Sequence, residues 1–443
     1  MRRLTLCVLA LGWGAAASAQ DLGHPWTLQE CIGWALEHNL TVRQGGISLE
    51  QKEIDLNTAR NSRLPSVAAS ASESLSFGRG LTSENTYAQT NTTSTGLSIG
   101  GSMTLFDGLA TPGQIGLARL NLDAATADLE KARDDIRIAV AQAYVQILYN
   151  EEIREVARQQ VAIDSLQVVR LEAMAGTGKA SSAEVAQQQA SLAQSRSTLV
   201  QAGNNARMSC LDLAQLLEFP SAEGFSVARP AAVPGDRAIG FPDDIYADAV
   251  EVRPAVAAER IRLEGTEKSL LIARSALFPT LSLSGGAGTN YYTPYRGLDE
   301  DGGQFWNQVR TNFSPYVGVS LNIPIFNKFA TRNAIRSARL NQELQRIQLE
   351  KTKQSLYKEI QQAWNGAVAA QAKYQASGTA ADSAEEAFRL VQAKYENGKA
   401  TVTEFNEARN TLMKTRSDLV QATYEYLFQT RLLDFYRGAP LDL

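Results

Sequence analysis

The sequence predicts a mixed α and β fold, built from one unit that occurs twice along a chain of 443 residues. Three observations predict it. Segments recur at a fixed offset, apolar residues recur every seven positions over long stretches, and shorter stretches alternate apolar with small polar residues. Seven-residue spacing is typical of helices that pack as coiled coils, and alternation is typical of strands. Long helices and short strands therefore follow each other twice.

The repeat is visible at the level of short motifs. Ala118–Asn121 recurs as Ala338–Asn341, and Gly178–Ala180 recurs as Gly398–Ala400, each 220 residues later. A repeated unit of roughly 200 residues is far longer than the 20–50 residues of solenoid and propeller repeats. A stretch rich in Pro, Gly and Ala, 219–242, is predicted to join the two repeats.

Periodicity gives each repeat the same order of elements. The first long helix carries the apolar stripe Ile115, Leu122, Leu129, Ile136 and Ala143, and its length corresponds to about 95 Å at 1.5 Å per residue. The first repeat, 20–218, is predicted to contain a helix at 27–64, strands at 66–78 and 94–106, a long helix at 111–175, a tip turn at 176–181 and a return helix at 182–217. The second repeat, 243–443, is predicted to contain a helix at 243–278, strands at 280–292 and 315–326, a long helix at 331–396, a tip turn at 397–401 and a return helix at 402–436.

The predicted strands have one apolar face and one face of small polar residues. Leu97, Ile99 and Met103, for example, alternate with Ser98 and Ser102. Each strand is close to the ~9–11 residues that cross a bilayer as a tilted strand. Four strands cannot close a barrel, and an open edge in lipid leaves backbone groups unpaired, so several protomers must contribute. A half-buried sheet in a soluble protein is the alternative interpretation.

The N-terminus and the composition indicate an exported protein. Arg2 and Arg3 precede an apolar segment and a small-residue cleavage site, which predicts a signal peptide at 1–19. Beyond it no apolar run reaches the ~20 residues that a membrane-spanning helix needs, which excludes a helical transporter. The formal net charge of −4 provides no basic field for nucleic acid.

Two motifs resemble catalytic or nucleotide sites without their essential partners. Gly96–Gly100 matches the nucleophile elbow G-x-S-x-G, but His24 and His38 are the only histidines and neither follows the serine. Gly176–Lys179 resembles the end of a phosphate-binding loop that lacks its first glycine and its Ser/Thr. The sequence therefore predicts no enzyme, no cofactor and no metal site.

The order of elements and several motifs resemble the TolC-like outer-membrane efflux channels over essentially the whole mature chain. The motifs are Ala-Arg-x4-Pro at Ala59 and Ala273, and the strand-to-helix exits Leu105–Gly108 and Ile325–Lys328. The resemblance implies a homotrimer whose twelve strands form one barrel in outer-membrane lipid, continuous with a tube of long helices in the periplasm. It also implies a periplasmic adaptor protein and an inner-membrane transporter as partners.

Both tip turns carry a capping box that starts the return helix, formed by Ser181 with Glu184 and by Thr401 with Glu404. The resemblance implies that the turns face the adaptor, through Gly178, Ala180, Ser181, Gly398, Ala400 and Thr401. It further implies a closed mouth lined by Glu404, Glu407, Glu184, Tyr395 and Lys399. Ala400 takes the place of an arginine that latches this mouth in the family, and Lys399 is the candidate substitute. Solvated helix charges are the alternative.

The two cysteines of the mature chain, Cys31 and Cys210, both fall near the equator of the tube in the family layout, where a disulfide is conceivable. Two buried free thiols are the favoured interpretation. The predicted function is a passive outer-membrane exit duct of a tripartite efflux or type I secretion system, for small molecules or polypeptides. The alternative is a periplasmic coiled-coil scaffold without a membrane barrel.

Overall fold

The structure is a computed structural model, and it describes residues 24–81, 85–89, 91–230, 239–294 and 302–442. The signal peptide predicted at 1–19 lies outside the described residues, as does part of the predicted linker, 231–238. In chain order the elements are α1 Leu28–His38, α2 Leu40–Asn61, β1 Ser66–Ser76, β2 Arg79–Leu81, β3 Tyr87–Gln89, β4 Thr92–Phe106, α3 Ala110–Gly176, α4 Ser182–Leu216, α5 Pro242–Val252, α6 Pro254–Ser275, β5 Thr280–Pro294, α7 Gly302–Thr311, β6 Ser314–Asn322, α8 Ala330–Glu396 and α9 Val402–Tyr436.

Corresponding helices in the two halves have equal lengths. The long helices α3 and α8 each span 67 residues, and the return helices α4 and α9 each span 35. The shorter pairs match as well, with 11 residues in α1 and α5 and 22 residues in α2 and α6. No helix within the described ranges combines the length and the apolar character that crossing a membrane requires.

The prediction of one continuous helix at 27–64 and another at 243–278 is wrong, because each range contains two helices separated by a break. In the first half the break is at Asn39, which has extended backbone angles. Its side-chain oxygen accepts from the Thr41 N–H at 2.9 Å, and its side-chain amide donates to the Leu216 carbonyl at 3.0 Å. Asparagine makes such local bonds in competition with the helix. In the second half the break is at Arg253, since a residue before proline, here Pro254, is disfavoured in the α region.

The segments around the strands also differ from the prediction. The strand predicted to end at 326 ends at Asn322, close to Pro324, which has no N–H to donate to a ladder. The strand predicted to end at 78 ends at Ser76, and a small hairpin of β2 and β3 follows it. The sequence did not predict this hairpin, and it did not predict helix α7 in the polar stretch between β5 and β6.

Four strands form one antiparallel sheet in the order β1-β4-β5-β6, so within the described residues β1 and β6 each pair on one side only. Ile99 pairs with Ala69 and Ala287, and Met103 pairs with Leu283. Directly paired residues point to the same face of a sheet. One face is therefore apolar across all four strands, and we call it the apolar face: Val67, Ala69, Ala71, Leu97, Ile99, Met103, Leu281, Leu283, Ala287, Val317, Val319 and Leu321.

The opposite face, which we call the serine face, consists of small and hydroxylated residues. The Ser70 and Ser98 hydroxyls lie 2.7 Å apart, and those of Ser66 and Ser102 lie 3.3 Å apart. By the same alternation Tyr316 lies on the serine face, opposite Gly286 in the ladder. The sheet therefore separates an apolar surface from a surface of hydrogen-bonding groups.

The chain divides into two compact units. The first consists of residues up to Arg43, Arg133–Ala249 and Glu359–Leu443, and it contains an aromatic core in which Trp26 contacts Trp34 and Phe219, with ring centroids 5.9 and 5.4 Å apart. The second consists of Gln44–Ala132 and Val250–Lys358 and contains the sheet. Its helices are joined by the ion pair of Arg262 with Asp128 and by the Gln345 amide, which donates to Glu259 at 2.5 Å.

Candidate functional site

The first tip turn connects α3 to α4 through a glycine in the left-handed region. Gly178 has a φ of 75°, and the Lys179 N–H donates to the Met174 carbonyl at 2.9 Å, which closes the end of α3. Ser181 then begins α4 with a complete capping box: its N–H donates to the Glu184 carboxylate at 2.7 Å, and its hydroxyl accepts from the Glu184 N–H at 3.2 Å. Such a reversal satisfies free backbone groups at both helix ends.

The second tip turn repeats this geometry. Gly398 has a φ of 70°, and the Lys399 N–H donates to the Lys394 carbonyl at 2.8 Å. The Thr401 N–H donates to the Glu404 carboxylate at 2.7 Å, and the Thr401 hydroxyl accepts from the Glu404 N–H at 3.2 Å. Gly398, Lys399 and Thr401 are exposed, as Gly178 and Ser181 are in the first turn, and Ala180 and Ala400 are half-buried.

The capping geometry sets the charge of two predicted mouth residues. The Thr401 amide and hydroxyl donate to Glu404 and hold the pKa of its carboxyl below the usual value, and Ser181 does the same for Glu184. Glu404 and Glu407 are both exposed and lie three residues apart in α9, on the same side of the helix. Glu404 therefore presents a negative charge while it caps the helix.

Tyr395 lies among groups from three helices. Its ring stacks on Phe405 of α9 at 4.9 Å between centroids, and the Arg170 guanidinium of α3 lies over it at 5.3 Å. Burial raises the pKa of the Tyr395 hydroxyl, Arg170 lowers it, and the Glu184 carboxylate raises it. The structure thus brings together Tyr395 and Glu184 of the predicted mouth, and the cation at the tyrosine ring is Arg170.

A buried polar cluster close to the tips was not predicted, and we call it the buried polar junction: Asp164 of α3, Gln188 and Ser195 of α4, and Asn406 and Arg409 of α9. Asp164 is fully buried and forms an ion pair with Arg409, whose side chain is 3% exposed. The Ser195 hydroxyl and the Gln188 amide also donate to Asp164, the latter at 3.2 Å. The Asn406 amide donates to Gln188 at 3.2 Å. These bonds link the first helical hairpin, α3 with α4, to the second, α8 with α9.

The buried polar junction is not fully paired. Burial lowers the pKa of Arg409 to about 10, although it stays charged at neutral pH. Within the part of the chain that the structure describes, Arg409 Nε and Asn406 Oδ1 are buried without a hydrogen-bond partner. Buried polar groups are normally paired, so this cluster is held at a cost and is sensitive to any change in its members.

Cys31 and Cys210 are free thiols in the structure, and desolvation raises the pKa of both, that of Cys31 to about 12. Among the described residues, no group of three or more His, Cys, Asp or Glu side chains is placed to hold a metal ion. The candidate functional surfaces are therefore the two tip turns with the residues packed behind them and the two-faced sheet.

An exposed apolar sheet face opposite a face of small polar residues is typical of a protein that contacts lipid, and comparison with known proteins identifies the family. The sequence model of the family described as "Outer membrane efflux protein" matches residues 31–217 and 245–438. The chain belongs to this family. It is a protein of the outer membrane that extends into the periplasm, and the family's role is transport rather than catalysis.

Individual relatives are distant but cover most of the chain. The outer membrane efflux protein BepC of Brucella suis is 23% identical over 90% of this chain and 82% of its own length. The outer membrane protein VceC of Vibrio cholerae is 20% identical, with a TM-score of 0.74 over 94% of this chain and 97% of that one. The open state of the MtrE outer membrane channel of Neisseria gonorrhoeae is 21% identical, with a TM-score of 0.71 over 94% of this chain and 89% of that one.

Proposed function

We propose that the protein is the passive outer-membrane exit duct of a tripartite efflux or type I secretion system, for small molecules or polypeptides. The observation that carries the proposal is the two-faced sheet. Its apolar face is exposed, with Val317 at 83% and Val67 at 69%, and its other face consists mostly of serine, glycine and other polar residues. Such a sheet suits lipid on one side and water on the other.

The open edges of the sheet support a homotrimer. A strand edge in the hydrocarbon region leaves N–H and C=O groups without partners, so β1 and β6 must each pair with a strand outside the sheet. In our proposal β1 of one protomer pairs with β6 of its neighbour, and three copies give a closed barrel of twelve strands. The long helices of the duplicated halves continue the barrel as a tube, which gives one path from periplasm to exterior.

The tip turns form the periplasmic end of this duct in our proposal. Three copies of Glu404 and Glu407 line its mouth as an acidic ring, and Tyr395 with Glu184 and Arg170 holds the closed arrangement. The matching turns at Gly178, Ala180, Ser181, Gly398, Ala400 and Thr401 bind a periplasmic adaptor protein, because they are short, small-residue reversals with fixed caps. Lys399 is exposed beside this surface. The inner-membrane transporter supplies the energy and selects the cargo.

Membrane fractionation separates this proposal from the scaffold alternative. The duct is recovered from outer-membrane fractions as an SDS-resistant species that converts to monomer on heating, since closed barrels resist detergent. A scaffold whose strands form a soluble sheet is recovered in the periplasmic fraction without detergent. Chemical crosslinking in intact cells, followed by purification of this chain, captures the adaptor and the transporter if the assembly is tripartite. Recovery without either partner contradicts that part of the proposal.

A further inference from the structure

Helix α7 is an insertion that lies against the end of β5. The β6 ladder stops at the pair Ser314–Gly288, whereas β5 continues to Pro294. The helix lies against this continuation: the Thr289 hydroxyl donates to the Val309 carbonyl at 2.6 Å, and the Tyr292 N–H donates to the Gln308 side chain at 3.0 Å. These contacts fix α7 to the sheet, on the side from which β6 is absent.

At this open edge of β5 the helix also covers part of the apolar face of the sheet. Thr289 and Tyr291 are separated from Leu283 by even numbers of residues along β5, so they point to the same face as that leucine. Tyr291 is only 4% exposed, because Phe305 of α7 packs on its ring with 5.0 Å between centroids. The helix therefore extends the surface that the proposed function places against lipid.

The helix also lies at the level where the apolar face ends. On that face the last pair of two apolar residues between β1 and β4 is Ala71 with Leu97. The next pair is Glu73 with Thr95, whose hydroxyl donates to the carboxylate, and beyond it Leu75 pairs with Thr93. From Leu281 to Tyr291 the strand rises about 34 Å at ~3.4 Å per residue, or about 26 Å along the membrane normal at a ~40° tilt. The apolar band of an outer-membrane barrel is about 25 Å tall, so α7 lies at its boundary.

The outward surface of α7 has the chemistry of a headgroup layer. Trp306 is 71% exposed and contacts Phe305 edge to face at 5.3 Å. Arg310 follows one turn later on the same side of the helix and is also exposed. An indole has an apolar body and one N–H donor, which suits the boundary between acyl chains and headgroups, and a guanidinium suits lipid phosphates.

We propose that α7 is an interfacial helix that docks onto outer-leaflet lipid, with Trp306 at the boundary between acyl chains and headgroups and Arg310 among the phosphates. This inference rests on the proposed function, because it needs the apolar face to contact lipid. It adds a lipid-binding surface outside the strands, formed by an insertion that the first half of the chain lacks between β1 and β4 in its described residues.

The experiment measures quenching of Trp306 fluorescence by lipid. The purified protein is reconstituted into phosphatidylcholine vesicles with or without dibrominated acyl chains, and the spectrum of Trp306→Phe is subtracted from that of the unchanged protein. The resulting Trp306 emission is expected to fall strongly in brominated vesicles and only weakly with aqueous iodide. Trp364→Phe is the matched control: Trp364 donates to the Gly240 carbonyl in the other compact unit, and its emission is expected to be equal in both vesicles.

Three results overturn the inference. Trp306 emission that is unaffected by bromine and quenched by iodide places the helix in water, and emission quenched by neither places the indole inside protein. If SDS-resistant species are present in the same vesicles, either result refutes the lipid contact of α7 and leaves the proposed duct unaffected. If the protein does not insert into the vesicles, the proposed function fails and the lipid surface fails with it.

Discussion

The sharpest expectation concerns the buried polar junction, where one substitution removes the charge that pairs with Arg409. Asp164→Leu leaves the Arg409 side chain, 3% exposed, without its carboxylate. Removing one partner of a buried ion pair costs about 3–5 kcal/mol, because the remaining charge stays out of water. At about 1.4 kcal/mol per tenfold change, that corresponds to roughly 10² to 10³·⁵ in the local opening equilibrium of the hairpins.

Replacing both charged residues distinguishes the effect of an unpaired buried charge from the effect of altered packing. The double variant Asp164→Leu with Arg409→Leu removes the orphaned charge, although Gln188 and Ser195 still lose an acceptor. We expect it to be more stable than Asp164→Leu alone by about 2 kcal/mol or more, since apolar replacement of a whole buried pair is often neutral or stabilising.

Hydrogen–deuterium exchange of the membrane-reconstituted protein measures these free energies locally, which avoids irreversible global unfolding. Amides of α3, α4 and α9 near the junction are expected to lose protection in Asp164→Leu and to regain much of it in the double variant. Glu386→Gln removes an exposed ion pair with Arg389 in α8 and serves as the control, with protection at the junction unchanged. If the single variant loses no more protection than the double variant, the unpaired charge of Arg409 does not destabilise the junction.

Three further predictions concern the tip and the thiols. Thr401 holds the pKa of Glu404 below its usual value, so the cap stabilises α9 fully above the ordinary glutamate pKa and is lost as the pH falls through the lowered pKa. Protection factors in the first turn of α9 are expected to fall over that range, and Glu404→Gln is expected to remove the pH dependence. Changing Glu404 and Glu407 together to Gln is expected to lower cation selectivity and divalent block in single-channel recordings, because the proposed acidic ring loses its charge. Thiol titration of the unfolded, unreduced mature protein is expected to find two reactive thiols, Cys31 and Cys210. In the folded protein Cys31 is expected to be unreactive, because burial raises its pKa to about 12.

Each of these outcomes has a contrary result. Unchanged selectivity and divalent block in the double glutamine variant contradict the ring, with Glu386→Gln as the control for loss of an exposed carboxylate from the second hairpin. A protection factor that does not change with pH in the unchanged protein contradicts the cap. No reactive thiol in the unfolded protein means that the two cysteines are bridged.

The sequence was most informative where one local rule applied without competition. The period-two alternation around Leu97 and Ile99 lies in β4, and the boxes at Ser181 and Thr401 cap α4 and α9. The tip signals are local, because a glycine in the left-handed region and a hydroxyl followed three residues later by glutamate form contacts within one turn. The interruption at Arg253 was also readable, since Pro254 follows it.

The buried polar junction was harder to predict because it joins residues far apart in the chain. Its signal was still present: counting by sevens from Ile115 along α3 leads to Asp164, a charged residue on an apolar stripe. Such a residue must be paired, but the sequence does not identify Arg409, 245 residues later, as its partner. Helix α7 was missed for another reason, because its few apolar residues lie in a short polar segment without a repeated period.

Single-channel recording in planar lipid bilayers tests the central claim most directly. The purified protein is expected to form discrete conductance steps that prefer cations, as the proposed three-copy barrel with acidic tips at its mouth requires. Removing the divalent cations is expected to increase the open time. Protein that is folded and recovered from the outer membrane, yet inserts without any conductance, would contradict the account of a continuous duct.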